Sequence, residues 1–252
     1  MATAIQNTYG LIGYPLSHSF SKRYFTEKFQ REGIKDSEYE LFEIATIDLL
    51  PTVFDQNPTL KGLNVTIPYK QQVMAYVDEL DPVAERIGAV NTVRLRDGKK
   101  TGFNSDYYGF HDSLIPWLNG VTISNALVLG TGGASRAVVC VLSDLGIDYT
   151  YVSRQASDQT ISYTDLRASD LQNYSLIINT TPLGMSPNTE TFPDLAYDQL
   201  TPNHYCYDLV YNPEQTAFMK KAQALGAQTK NGLEMLQRQA EKSWEFWTMD
   251  AE

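Results

Sequence analysis

Cysteine and histidine are scarce here, two and three among 252 residues. Cys140 and Cys206 make a poor disulfide framework. With histidines at positions 18, 111 and 204 they provide no zinc-ligand spacing, so no metal site is expected and both thiols are expected to be buried and free. Long apolar runs are missing too: none approaches the roughly 18 to 20 residues needed to cross a bilayer. The segment 1–8 is polar, without a basic start or an apolar stretch, and predicts no targeting leader. A cytoplasmic protein that spans no membrane is the expectation. Positive charge is also in short supply, with 20 Lys and Arg against 30 Asp and Glu for a net −10. That excludes nucleic acid, which demands a basic face, and anionic membrane surfaces. An anionic ligand must instead be met by a few placed cations or by helix N-termini.

What is present is globular: 42% hydrophobic and 20% charged residues, in a chain long enough for two domains. Apolar runs at 9–13, 39–44 and 60–65 read as strands, and Tyr24, Phe25, Lys28 and Phe29 mark a helix between the first two by their spacing. A helix is predicted after Lys70, with Val73, Met74 and Val77 as its apolar positions. A strand over 89–95 turns at Asp97-Gly98, a hairpin dipeptide, and returns through 101–104. A helix from Asp106 to about Leu118 leads into strand 126–129, helix 134–145, strands at 148–153, 175–179 and 204–209, helix 214–225, and a short strand at 227–230. The last helix, 232 to about 248, carries Leu236, Ala240, Trp244 and Trp247 along one stripe. Alternating strands and helices predict an α/β protein of two domains. The first is a mainly parallel open sheet over 1–105 completed by 232–252. The second is a doubly wound, Rossmann-type domain over 106–231.

Two stretches carry chemistry. Asn64-Val65-Thr66-Ile67-Pro68-Tyr69-Lys70 runs from an apolar strand into a turn, and so places two uncharged hydrogen-bonders and an ammonium together. Ala126-Leu127-Val128-Leu129-Gly130-Thr131-Gly132-Gly133-Ala134-Ser135 is a strand passing directly into a glycine-rich turn and then a helix, the layout of a dinucleotide phosphate site. Ser135 stands where the fingerprint has its third glycine and is small enough for close helix–strand packing. Either stretch alone is weak, since Asn-x-Thr also caps turns and glycines also serve φ > 0. Together they suggest a dehydrogenase for a polyhydroxylated substrate.

Further blocks add to these: Gly13-Tyr14-Pro15-Leu16-Ser17-His18-Ser19-Phe20-Ser21, Gly88-Ala89-Val90-Asn91-Thr92, Gly102-Phe103-Asn104-Ser105-Asp106, Asn179-Thr180-Thr181-Pro182-Leu183-Gly184-Met185, Tyr207-Asp208-Leu209-Val210-Tyr211-Asn212-Pro213 and Asn231-Gly232-Leu233-Glu234-Met235-Leu236-Gln237-Arg238-Gln239. In this order they resemble the shikimate dehydrogenase family over nearly the whole chain. The resemblance implies NADPH-dependent reduction of 3-dehydroshikimate to shikimate, on the route to aromatic amino acids, by a monomer or homodimer. It places Ser17 and Ser19 at the substrate carboxylate, with Asn64, Thr66, Asn91, Tyr211 and Gln239 completing the pocket. Lys70 and Asp106 fall at the reacting carbon. It assigns Gly130, Thr131, Gly132, Gly133 and Ala134 to the pyrophosphate and Ser153 and Arg154 to the adenosine ribose. Thr180, Leu209 and Gly232 lie along the nicotinamide half. Departures from the family pattern are Lys22, Phe25 and Thr26 behind the serine loop, Ser153-Arg154-Gln155 after the second nucleotide-domain strand, and Glu234 where glycine is more usual.

The same residues read by their chemistry agree. Hydroxyls, amides and a phenol both donate and accept, which suits a hydroxylated acid. Ser17 and Ser19 have an alternative use as caps of the helix starting near Ser21. Gln239 on an apolar stripe needs a polar partner, either a ligand or a core carbonyl. His18 reads as structural before catalytic, and Tyr107, Tyr108 and Trp117 as packing. Hydride addition to a ketone creates an alkoxide, which a lysine both stabilises and protonates, with a carboxylate to hold the lysine in place; Lys70 and Asp106 fit these roles. An NAD site places a carboxylate at the end of strand 148–153, but Ser153-Arg154 stands there with no acid before Asp158. An arginine suits a 2′-phosphate, so NADP is the expected cofactor. Rival readings are an NAD-linked quinate/shikimate dehydrogenase, disfavoured by Arg154, and a silent NADP-binding regulator, which has no use for both Lys70 and Asp106. A methylene-tetrahydrofolate dehydrogenase is disfavoured by the cluster of hydroxyl-binding residues.

Overall fold

The computed structural model describes residues 4–16, 19–167 and 171–249. The chain divides into two compact units, 1–105 with 240–252 and 106–239. The boundaries fall inside two helices.

In the first unit β1 (Asn7–Gly13), α1 (Phe20–Glu32), β2 (Ser37–Glu43), α2 (Leu50–Gln56) and β3 (Leu60–Val65) are followed by β4 (Glu79–Leu80), α3 (Pro82–Ile87), β5 (Thr92–Arg96) and β6 (Lys99–Phe103). Helix α4 (Ser105–Leu118) starts at its edge. The strands form one sheet in the order β2-β1-β3-β5-β6-β4, parallel except where β5 runs antiparallel between β3 and β6. Side chains alternate across a strand, and that alternation decides what each face holds. Leu63 and Val65 of β3 and Val93 of β5 join Ile12, Leu50, Val53 and Val73 in one core. The intervening Asn64 and Thr92 point to the other face, where the end of the last helix lies. There Tyr9 and Leu11 pack with Phe25, Phe29, Tyr39 and Trp247. Gly62 lies on this face too, and a Cβ there would stand 2.3 Å from the Trp247 ring.

The second unit contains β7 (Asn125–Leu129), α5 (Gly133–Asp144), β8 (Asp148–Ser153), β9 (Thr160–Ser162), α6 (Tyr163–Arg167), β10 (Leu176–Asn179), β11 (Tyr205–Asp208), α7 (Ala217–Ala224) and β12 (Gln228–Lys230). The last helix, α8 (Leu233–Thr248), begins here and ends in the first unit. All neighbours are parallel, in the order β12-β11-β10-β7-β8-β9. The chain winds outward from β7 to β9, then returns to the centre at β10 and winds the other way. The strand order therefore reverses between β7 and β10, and doubly wound sheets bind ligands at that point, outside the carboxyl ends of the strands. Both faces are covered, by Phe110, Leu114, Val138 and Met235 on one and by Leu166, Phe218 and Met219 on the other.

Some local expectations do not hold. The helix predicted after Lys70 is a short 3-10 turn, Gln72–Tyr76. Val77 is already extended, and Asp78 N–H bonds Lys100 O at 2.8 Å as the chain joins the sheet edge, which leaves no room for a helix. The strand expected from residue 89 becomes regular only at Thr92, since Gly88 closes α3 in the left-handed region. Helices α2 and α3 were not foreseen, although Asp81-Pro82 is a readable start: the Asp81 carboxylate caps Val83 N–H at 3.0 Å. Both thiols are free, but Cys140 is only half-buried. No group of residues among those described has the makings of a metal site, and no described helix is long and apolar enough to cross a membrane.

Candidate active site

In the first unit the carboxyl ends of β1 and β3 meet the loop that leads to α3. Thr66 N–H bonds Ile12 O at 2.9 Å, Tyr69 N–H bonds Thr66 O at 3.0 Å, and Val90 N–H bonds Lys70 O at 2.7 Å. Thr66 and Lys70 are thereby held on a braced turn, half-buried. The Tyr69 hydroxyl donates to Ile44 O at 2.6 Å and fixes the turn from below.

Asn64 and Asn91 are both buried, and their polar atoms divide differently. Asn64 Oδ1 accepts from the Tyr39 hydroxyl at 2.8 Å, and its Nδ2 donates to Ser243 Oγ at 2.9 Å, with Asn91 O and Thr92 Oγ1 each at 3.4 Å. Ser243 in turn lies 2.8 Å from Thr92 Oγ1 and 3.0 Å from Ser105 Oγ. Asn91 Oδ1 accepts the Ser105 N–H at 2.7 Å and sits 3.1 Å and 3.2 Å from the hydroxyls of Thr92 and Ser105. This fixes the amide orientation, with its nitrogen pointing away. Among the described residues that nitrogen makes no hydrogen bond. Thus Asn64 is tied to the frame by both its polar atoms, its Oδ1 accepting one bond of the two it can take, while Asn91 is clamped by its oxygen and keeps two N–H donors for a ligand. Asn91 also caps the first amide of α4, directly before Asp106, which is itself buried.

Ser19 is the N-cap of α1, accepting from Lys22 N–H at 3.4 Å. The capping use is therefore real, but a hydroxyl that accepts keeps its own hydrogen to donate. Ser17 and His18 lie outside the described residues. Behind this loop, Lys28 is almost fully buried and pairs with Glu32 at 2.9 Å and Glu241 at 2.6 Å, while the Tyr24 hydroxyl also bonds Glu241.

In the second unit β7 delivers the chain to a turn built largely of glycine. Gly130 has φ +100°, and a Cβ there would stand 2.8 Å from Thr181 Cγ2, so its own fold requires glycine. Gly132 and Gly133 are different. A Cβ at either meets nothing within 4 Å, and Gly132 has an ordinary φ of −76°. No protein contact demands glycine at these positions, and their backbone is open to close approach by a ligand. Gly132 is the N-cap of α5 without a side-chain cap, so the helix presents its positive end outward, between Thr131 and Ala134. Ser135 is buried, and its hydroxyl returns to Gly132 O at 2.7 Å, fitting the third small position. Beside this cradle β8 ends at Ser153, followed by Arg154, which is exposed and makes no ion pair or hydrogen bond among the described residues. These residues fit a dinucleotide carrying an extra phosphate on its ribose.

Of the remaining predicted residues, Thr180, Leu209, Tyr211 and Gly232 follow the carboxyl ends of β10, β11 and β12, and Gln239 lies on α8. The Thr180 hydroxyl donates to Leu129 O at 2.8 Å. A Cβ on Gly232 would stand 2.1 Å from Leu209 O, so this glycine permits direct backbone contact. Tyr211 is half-buried. Gln239, on α8, donates to Leu236 O at 2.9 Å in its own helix. Glu234 is held between Lys230 and Arg238, the latter at 2.7 Å. Sequence reasoning missed two buried sets, Tyr39, Thr92, Ser105 and Ser243 around Asn64, and Asn179, Asp208 and Thr216 under the loops. A serine within the apolar stripe of α8 and an acid at the end of the buried run 205–208 were the available signals.

Residues 11–93 match the shikimate dehydrogenase substrate binding domain. The chain is 39% identical over 249 residues to the shikimate dehydrogenase (NADP(+)) of Clostridium beijerinckii, covering 95% of this chain and 91% of that protein. A shikimate dehydrogenase solved in complex with NADP+ aligns with TM-score 0.86 at 32% identity, over 98% of this chain and 93% of the other. The shikimate 5-dehydrogenase of Thermus thermophilus, solved with NADP(H) and shikimate, aligns with TM-score 0.82 at 29% identity, over 96% and 93%. Likeness of sequence and backbone along nearly the whole length, on top of the glycine cradle and the clamped Asn91, gives one conclusion: the chain belongs to the shikimate dehydrogenase family.

Proposed function

We propose that this protein reversibly reduces 3-dehydroshikimate to shikimate with NADPH, on the route to aromatic amino acids. Residues 1–105 and 232–252 hold the acid and 106–231 hold the dinucleotide. NADPH, when bound, supplies the hydride. The protein's task is to bind, orient and manage the proton. Ser17 and Ser19 take the carboxylate, and Asn64, Thr66, Asn91, Tyr211 and Gln239 take the hydroxyls, with Asn64 also fixing the floor through Tyr39 and Ser243. Lys70 offers a fixed positive charge where the alkoxide develops and gives it a proton. Asp106 orients that ammonium and holds a substrate hydroxyl. Gly130, Thr131, Gly132, Gly133 and Ala134 receive the pyrophosphate, Ser153 and Arg154 the phosphorylated ribose, and Thr180, Leu209 and Gly232 the nicotinamide half. The enzyme works in the cytoplasm, as a monomer or homodimer.

The observation that carries this reading is the pair Gly132 and Gly133, where a Cβ would meet no protein atom within 4 Å and the backbone at the start of α5 is left open to a ligand. The test is the absorbance change at 340 nm with 3-dehydroshikimate or the quinate analogue, each with NADPH and NADH. Turnover is expected fastest with 3-dehydroshikimate and NADPH. Oxidation of neither cofactor by either acid overturns the assignment.

A further inference from the structure

We propose that Asp208 is a positioning residue for the cofactor: its ionised carboxylate locks together the two loops that receive the nicotinamide half, so that NADP affinity depends on this one buried charge. The inference rests on the reading of the second unit as the NADP site.

Asp208 ends β11, fully buried, and its carboxylate accepts three hydrogen bonds from three directions. Oδ1 takes Asn179 Nδ2 at 2.9 Å and the Val210 N–H at 3.0 Å, and Oδ2 takes the Thr216 hydroxyl at 2.6 Å. Asn179, also fully buried at the end of β10, passes the connection on, its Oδ1 accepting Thr181 N–H at 3.1 Å and Thr181 Oγ1 at 2.6 Å. Thr181 in turn lies against Gly130, the first glycine of the phosphate turn. On the other side, Val210 and Thr216 bracket the segment containing Tyr211, and Leu209 O touches Gly232. One carboxylate therefore sets the spacing between the 180–184 turn and the 209–216 turn, and through Thr181 their register against the glycine cradle.

The charge strengthens the arrangement. Two of the partners, an amide N–H and a side-chain NH₂ group, can only donate, and both hold Oδ1, so a proton must sit on Oδ2, where it reverses the Thr216 bond and turns bonds to a charged acceptor into weaker neutral ones. Burial pushes this carboxyl up to about 6, opposed by the bonds from Thr216, Val210 and Asn179. Because the folded value lies above the ordinary one, the folded state binds the proton more tightly, and holding the group ionised above pH 6 lowers fold stability. A fold alone gains nothing from such a group; a ligand site that needs fixed acceptors does. The titratable groups that feel Asp208 are Cys206 on its own strand, which burial pushes up to about 12, and Tyr197, which burial also pushes up. Both stay neutral while Asp208 titrates.

The test is the NADP+ dissociation constant of the full-length wild type and Asp208→Asn, measured from pH 5 to 8. The ratio of the two is the readout, since titration of the ligand's own 2′-phosphate cancels in it. The ratio is expected to be about ten at pH 7.5, the loss of one bond to a charged group, and to fall toward one near pH 5 as the wild-type carboxyl is neutralised. The KM for NADPH should rise alongside. Thr216→Val, which removes one donor from the carboxylate, should move the acid loss of affinity to higher pH than in wild type, and Thr216→Ser should restore it. The threonine pair also decides the matter if Asp208→Asn does not fold. A ratio that does not vary with pH, or identical profiles for wild type and Thr216→Val, overturns the proposal. Failure of the wild type to bind NADP+ at any pH would instead refute the underlying assignment of the site.

Discussion

The two sites are made by opposite means. In the first unit, side chains do the work, and a buried lattice of amides and hydroxyls around Asn64 and Ser243 fixes Asn91 so that only its nitrogen is left over. In the second, the decisive feature is the lack of side chains at Gly132 and Gly133 and an uncapped helix end. A small hydroxylated acid offers few atoms, so each must be met by a pre-oriented group. A dinucleotide offers a charged diphosphate, which bare backbone amides receive equally well. The contrast implies that substitutions in the first unit will harm chemistry or stability, and those at Gly132 and Gly133 will harm affinity above all.

The largest expected effect is at Lys70. Lys70→Ala should lower kcat by ~10²–10⁴, the range for a positioned proton-transfer group, while shikimate still binds within about tenfold. Asp106→Asn should impair both terms, and the double variant should lose less than the product of the two, because the residues act as one unit. Rate and binding measurements on the three variants decide this. A fully multiplicative loss would separate them.

Asn64→Ala comes next, acting on stability. It strips the Tyr39 hydroxyl and Ser243 of a buried partner, at ~1–3 kcal/mol, and chemical denaturation should show it even without substrate. An unchanged midpoint would mean that the lattice does not carry the frame. Arg154→Asp follows: NADP+ affinity should fall about tenfold or more, for one lost bond to a charged group, while NAD+ affinity changes little. Equal losses for both cofactors would remove Arg154 from the 2′-phosphate. The smallest effect is expected at Ser19, where the cap bond is long at 3.4 Å. Ser19→Ala should reduce stability by ~0.5 kcal/mol, the low end for N-caps, with a larger effect on the KM for shikimate.

The same contrast explains what could be read from the sequence. The cofactor turn is local: a strand of apolar residues, then glycines, then a helix, all within the ten residues of 126–135, and β7 and α5 stand where that pattern put them. The place of Arg154 was legible for the same reason, since it lies directly after a strand. The substrate frame is not local. Asn64 meets Ser243 across 179 positions, and no spacing rule connects them. The motif thus pointed to Asn64 but not to the bonds from Tyr39 and to Ser243 that hold it. The helix expected after Lys70 failed for a similar reason, since the sheet edge claims residues 78–80 through a bond to Lys100 that lies beyond the local window. Asp208 escaped notice because nothing in its neighbourhood signals that Thr216 and Asn179 converge on it.

The claim that backbone alone forms the cofactor cradle is tested most directly by Gly132→Val, followed by calorimetric titration with NADP+ and shikimate and by thermal melting of the free protein. A Cβ here meets no protein atom within 4 Å, so stability should fall by no more than the loss of a favoured N-cap residue, about 1 kcal/mol. Shikimate binding should persist, while NADP+ affinity falls about tenfold or more. Unaltered NADP+ affinity, or a loss accompanied by an equal fall in stability, would contradict the account.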